Sequence, residues 1–193
     1  TIVTSIDKFV ILYFLDETML GHYTVALLGF STLALIPQTI SNAYCMKMNE
    51  LYGATGSTEK IIEYAKQSTL INSVITCFTS ICAFYLLPIF IQTVMPNYTE
   101  GTEAAQIIII GVAIYSSTFS FGHLFTILKK NAQLIVNSIL LCIFNAVFST
   151  VLVLVFGANI NNVAIGTALS YALYSILLIV RLRQMFGSNL KSM

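Results

Sequence analysis

Asp7 and Lys8 are adjacent charges inside an apolar run, Thr1 to Leu15. Counted back from Leu15 along a helix, Asp7 lies roughly 12 Å below the end of that run, near the middle of a ~30 Å hydrocarbon core. A charge at such depth costs at least about 2.5–3.5 kcal/mol, so it faces a cavity or a partner rather than lipid. Lys8 has the chemistry to attract an anionic group, and Asp7 to orient that group or exchange a proton. Successive helical residues point about 100° apart, so the two need not pair with each other. A structural ion pair with another part of the protein is the competing reading.

Uncharged polar residues extend the candidate set. Gln38 and Asn42 are one helical turn apart and share a face. Asn137, Asn145 and Ser149 likewise recur on one side of a later helix. Such rows either line a hydrophilic cavity or hydrogen-bond between helices. His22 and His123 have no second His or carboxylate at ligand spacing in the sequence and read as interface residues. Cys45, Cys77, Cys82 and Cys142 sit in or beside apolar runs without a CxxC pair, which makes them packing residues rather than disulfides or metal ligands. Asn97-Tyr98-Thr99 matches a glycosylation sequon, which has meaning only in a secretory pathway. No nucleotide-binding loop, HExxH or GxSxG occurs. The expectation is no catalytic residues, no cofactor and no metal.

The elements that position these residues follow from composition. Of the 193 residues 57% are hydrophobic and only 9% charged, with a mean hydropathy of +0.86. Water-soluble chains carry about a quarter charged residues, so the solvent is lipid. A net charge of +1 supplies no basic surface for nucleic acid. The expected fold is all-α: a polytopic membrane helix bundle of about six transmembrane helices. Thr1 to Leu15 is only about 22 Å as a helix, which reads as a first span truncated at its start. Five full spans follow, about Gly21–Cys45, Ser68–Val94, Ala104–Leu128, Ala132–Phe156 and Val163–Val180. These runs lack the alternation of barrel strands and are twice their length.

Charge orders the ends. In a zigzag, one set of helix ends carries Lys47, Lys60, Lys66, Lys129, Lys130, Arg181, Arg183 and Lys191, and the other carries no Lys or Arg. The positive-inside rule makes the first set cytoplasmic, so the first helix leaves the cytoplasm and the C-terminus ends inside it. Residues 46–67 then form a cytoplasmic connector with a short interfacial helix. Ser57 is its expected N-cap, Glu59 lies in its first turn, and Ile61, Ile62 and Tyr64 touch the bilayer interface. Ala164, Ala168 and Ala172, with Gly166 and Ser170 beside them, predict a close helix contact. Pro37 is expected to kink the second span, and Pro88 and Pro96 to terminate the third.

One resemblance spans essentially all 193 residues. Asp7-Lys8-Phe9-Val10-Ile11-Leu12-Tyr13, then Leu20-Gly21-His22-Tyr23-Thr24-Val25-Ala26, Ile36-Pro37-Gln38-Thr39-Ile40 and Glu50-Leu51-Tyr52-Gly53 follow in order. Met95-Pro96-Asn97-Tyr98 and Gly166-Thr167-Ala168-Leu169-Ser170-Tyr171 come later. In order and spacing this resembles the polysaccharide flippase family, the O-antigen and capsule branch of the multidrug/oligosaccharidyl-lipid/polysaccharide exporter superfamily. The resemblance implies one lobe of a two-lobe exporter, residues 1–193 forming the C-terminal six-helix lobe, with the N-terminal half of the same transporter as its partner. It also implies flipping of a polyprenyl-pyrophosphate-linked oligosaccharide across the cell membrane for surface polysaccharide synthesis. Family members commonly carry a basic residue, often Arg, where Lys8 stands; Lys keeps the charge without the guanidinium fork. Tyr13, Tyr44 and Tyr115 are of a type suited to sugar stacking. Asp7, Lys8, Gln38, Asn42 and Asn145 are the expected substrate-binding or coupling residues. Alternatives are a cation-coupled multidrug or small-molecule antiporter of the same superfamily and, further off, a membrane-embedded polysaccharide polymerase. A polymerase would want a long outer loop carrying charged catalytic residues, whereas the outer loops here are only a few residues long, with Asp16, Glu17, Glu100 and Glu103 as their carboxylates.

Overall fold

A computed structural model describes residues 2–186, with side chains from Ser5 onward; Lys191 lies outside the described residues. The protein is all-α and multi-pass, with five helical spans long and apolar enough to cross a membrane. Its helices are α1 (Ile2–Phe14), α2 (Glu17–Thr55), α3 (Thr58–Val94), α4 (Thr102–Ser116), α5 (Phe119–Ile127), α6 (Asn131–Phe156) and α7 (Ile160–Phe186), with a 3₁₀ turn at Pro96–Gly101. Large apolar side chains such as Phe78, Tyr85, Leu154 and Phe156 stand on the outer faces. In water that belt would be a liability; in lipid it is the expected solvent contact.

Local sequence sets the boundaries. Asp16 caps α2 by accepting the Met19 N–H at 2.8 Å. Gly56 ends α2 in the left-handed region (φ 64°), where its N–H reaches the Tyr52 carbonyl. Only Gly56 and Ser57 separate α2 from α3. Residues 46–67, expected as a connector with its own short helix, are instead the continuation of two spanning helices. Met, Lys, Glu, Leu and Ala there sustain helix outside the apolar stretch. Ser57 makes no side-chain capping bond. Ile61 and Ile62, expected at the bilayer surface, are buried in a core with Met48, Phe125 and Leu182. Pro37 and Pro88 are both carried inside helices, and α3 runs on to Val94, so Pro88 does not terminate it; Pro96 opens the 3₁₀ turn.

The span expected at Ala104–Leu128 is divided into α4 and α5 without proline. Ser117 and Thr118 turn their hydroxyls back onto the Ile114 and Tyr115 carbonyls at 2.7 and 2.8 Å. Ser175 of α7 also reaches the Ile114 carbonyl, at 3.4 Å. Side chains competing for helix carbonyls are a recognised cause of kinks.

α7 is the central staple, packed against α6 on one side and α4 on the other. A Cβ on Gly166 would fall 2.6 Å from the Ser149 nitrogen, so only glycine lets α6 and α7 approach this closely. Ala164 and Ser170 are buried with it, as the small-residue row predicts. At the end bearing the acidic loops, Asn161 donates to Glu103 at 2.6 Å and His22 faces Glu100 at 3.6 Å. We refer to this as the acidic end and to its opposite, with Lys47, Lys60, Lys129 and Arg183, as the basic end.

Candidate functional site

α1 is short and lodges against α2, α6 and α7. Its placement divides Asp7 from Lys8. Asp7 is fully buried, whereas Lys8 is exposed and has no carboxylate partner among the described residues. Lys8 shares its face of α1 with Phe9, Leu12 and Tyr13, all exposed.

Four helices converge on Asp7. The Tyr23 hydroxyl of α2 donates to Oδ2 at 3.1 Å, and the Thr167 hydroxyl of α7 lies 3.0 Å from Oδ1. Asn145 of α6 donates through Nδ2 to Thr167 Oγ1 at 3.2 Å. Thr167 has one proton and two acceptors, because the Val163 carbonyl also lies 3.0 Å away. The Oδ1 of Asn145 has no protein partner among the described residues. A buried carboxylate in lipid depends on such donors, since among the described residues no cationic side chain pairs with it.

This donor set is all oxygen with one formal negative charge: Asp7, Thr167, the Val163 carbonyl and the free Asn145 Oδ1. Ser149, 3.4 Å from the same carbonyl, borders it. His and Cys are absent from it, so it does not suit zinc or iron. No group of three His, Cys, Asp or Glu side chains able to hold a metal ion occurs among the described residues. What the cluster can exchange is a proton or a hard monovalent cation.

Gln38 and Asn42 are exposed and stand apart from Asp7, lining a cavity of about 940 Å³ between α2, α5, α6 and α7 in the half nearer the basic end. Phe30, Tyr115, Tyr171 and Tyr174 form its aromatic wall, with Tyr115 stacked on Tyr171 at 4.7 Å. Its volume is at the upper end of the range for small-molecule cavities. Among the described residues no Asp, Glu, Lys or Arg lines it. His123 does.

Of the expected site residues, then, Asp7 and Asn145 meet, Gln38 and Asn42 meet elsewhere, and Lys8 stands alone. Of the aromatic candidates Tyr115 reaches the cavity, Tyr13 is exposed, and Tyr44 packs on Tyr64. Asn137 and Ser149 are buried. His22 finds in Glu100 the carboxylate its sequence neighbourhood lacks. Sequence reasoning missed Tyr23 and Thr167, which sit in apolar runs and become polar partners only through packing. No protein-family model, curated protein or solved structure matches the chain.

Proposed function

We propose that this chain is the C-terminal lobe of an exporter that turns a polyprenyl-pyrophosphate-linked oligosaccharide across the cell membrane, with its basic end and C-terminus cytoplasmic. The observation that carries the reading is the opposite placement of two neighbouring charges. Asp7 is sealed inside the lobe and Lys8 stands on its open face. A lysine at that depth facing lipid would be costly; facing a polar path shared with the N-terminal half, it offers a cation to an anionic head group. Asp7, shielded from that path, is the coupling residue, where a proton or monovalent cation binds. The large uncharged cavity beside Gln38 and Asn42 gives an amphiphilic cargo room without competing charge.

A cation-coupled antiporter of the same superfamily is the second reading, favoured by the Asp7 cluster alone. A positively charged drug would want an exposed carboxylate on that open face, and the exposed charge of α1 is Lys8. The polymerase reading has less support: Asp16 caps α2, Glu100 faces His22 and Glu103 accepts from Asn161.

The test is Lys8→Ala in the full transporter, in cells with no other copy. Surface polysaccharide should fall at least about tenfold (~1.4 kcal/mol of transition-state stabilisation), with complete lipid-linked oligosaccharide retained in the cytoplasmic leaflet. Lys8→Arg should retain export. Normal export by Lys8→Ala would remove the anionic-cargo reading.

A further inference from the structure

We propose that the seam between α3 and the α4–α5 rod is a binding site for a short file of ordered water molecules, held by Asn72, Thr76, Ser80 and Ser116. α3 presents Ser68, Asn72, Thr76 and Ser80 at four-residue intervals, and all are at least nine-tenths buried. Toward the basic end the row is satisfied by protein. Ser120 lies 2.6 Å from Ser68 and 3.0 Å from Ser41, and accepts from Asn72 Nδ2 at 3.3 Å.

Further along, the row has no protein partners. Asn72 Oδ1, Thr76 Oγ1, Ser80 Oγ and, across the seam, Ser116 Oγ are buried with none among the described residues. Two contacts fix the antiparallel register: Ser68 with Ser120, and the Phe84 carbonyl accepting from Gln106 at 3.0 Å. Between them, Asn72 comes level with Ser116, one turn before Thr76.

The hydroxyl directions separate this row from Ser73 and Thr79 on the same helix. A serine or threonine in a helix ordinarily satisfies itself on the carbonyl one turn back. Ser73 and Thr79 do so, at 2.8 and 2.9 Å. Thr76 and Ser80, on the same helix, do not. Native proteins leave few buried polar groups unpaired, and a buried water characteristically bridges two to four of them. Water matches this seam because it both donates and accepts. A cation would satisfy the oxygens but not the hydroxyl protons, and no carboxylate belongs to the row. From Ser68 to Ser80 the polar row extends about 18 Å.

Water-edited solid-state NMR on the full chain in lipid bilayers tests this directly. Magnetisation from water protons should reach Asn72 and Thr76 as fast as it reaches exposed Asn49, while Ile108 and Ile109, equally buried but apolar, stay dark. Thr76→Val should abolish transfer at Asn72 or slow it severalfold, and lower the thermal midpoint by about 2–4 °C. The control Thr79→Val, which removes a self-satisfied hydroxyl, should leave transfer at Asn72 intact. Absence of transfer at Asn72 and Thr76, or an unchanged or higher midpoint for Thr76→Val, would overturn the proposal. So would a rise in midpoint on replacing choline by sodium that is lost in Thr76→Val, which would place a cation there instead.

Discussion

Two of the polar clusters buried in this helix bundle solve the same problem differently. Around Asp7, one formal charge is surrounded by donors from three other helices, and each donor serves the carboxylate or serves a group that does. Around Ser120 there is no formal charge, three side chains share one hydroxyl, and the adjoining row is left without protein partners among the described residues. The difference teaches that in lipid a charge demands local closure, because its desolvation exceeds that of any hydroxyl. Neutral groups tolerate an open-ended arrangement. The charged cluster therefore depends on its four helices meeting correctly, while the neutral one can persist as α3 and α5 shift slightly.

Substitutions can break that contrast, beginning with the largest effect. Asp7→Leu removes the acceptor of Tyr23 and one acceptor of Thr167, at about 1–3 kcal/mol for each group left unpaired. We expect no monodisperse peak in detergent by size-exclusion chromatography. Asp7→Asn keeps the shape and should fold, yet lose coupled transport in vesicles by at least about a hundredfold (~2.7 kcal/mol). If the Asp7→Leu variant folded as well as the parent chain, the cluster would be dispensable to the bundle. Tyr23→Phe deletes one bond to a charged acceptor, a loss of about 1.5–3 kcal/mol. For a chain of this size it should lower the thermal midpoint by about 3–12 °C.

Ser120→Ala should cost less, about 1 kcal/mol, because its three partners bond only to a neutral hydroxyl. A midpoint drop larger than that of Tyr23→Phe would reverse the comparison. Lys8→Gln should change stability by no more than about 0.5 kcal/mol, since the side chain is exposed and unpaired. Its effect should appear in transport alone, separating the two faces of α1.

Much of this architecture was legible in the residues, and where it was not the reasons are physical. Hydropathy marks where a chain meets lipid, so the five spans stand out. It says nothing about where a helix stops, and α2 and α3 continue through Lys47, Glu50, Glu59 and Lys66 until Gly56 permits the turn. Asp7 is visible because a lone carboxylate in an apolar run has no other explanation. Its partners are not, since Tyr23 lies 16 residues away and Thr167 lies 160 away. The row Ser68, Asn72, Thr76, Ser80 has the same spacing signal as Gln38 and Asn42. It is masked by Thr69, Ser73 and Thr79 on the same helix, of which Ser73 and Thr79 turn their hydroxyls back onto its carbonyls. Which face of α1 carries Lys8 is settled only by the packing of α2, α6 and α7.

The turn at Gly56 has a mechanical consequence. α2 has 39 residues, about 58 Å of rod, and the membrane accounts for only ~30 Å of it. Paired with α3, it extends from the basic side as a two-helix rod braced at its base, where Met48, Ile61 and Ile62 pack on Phe125 and Leu182. A tilt of about 10° at mid-bilayer would sweep its tip by roughly 7 Å. Small rotations of the bundle inside the membrane are thereby magnified outside it, where a spectroscopic probe or a binding protein at Thr55–Thr58 would sense them.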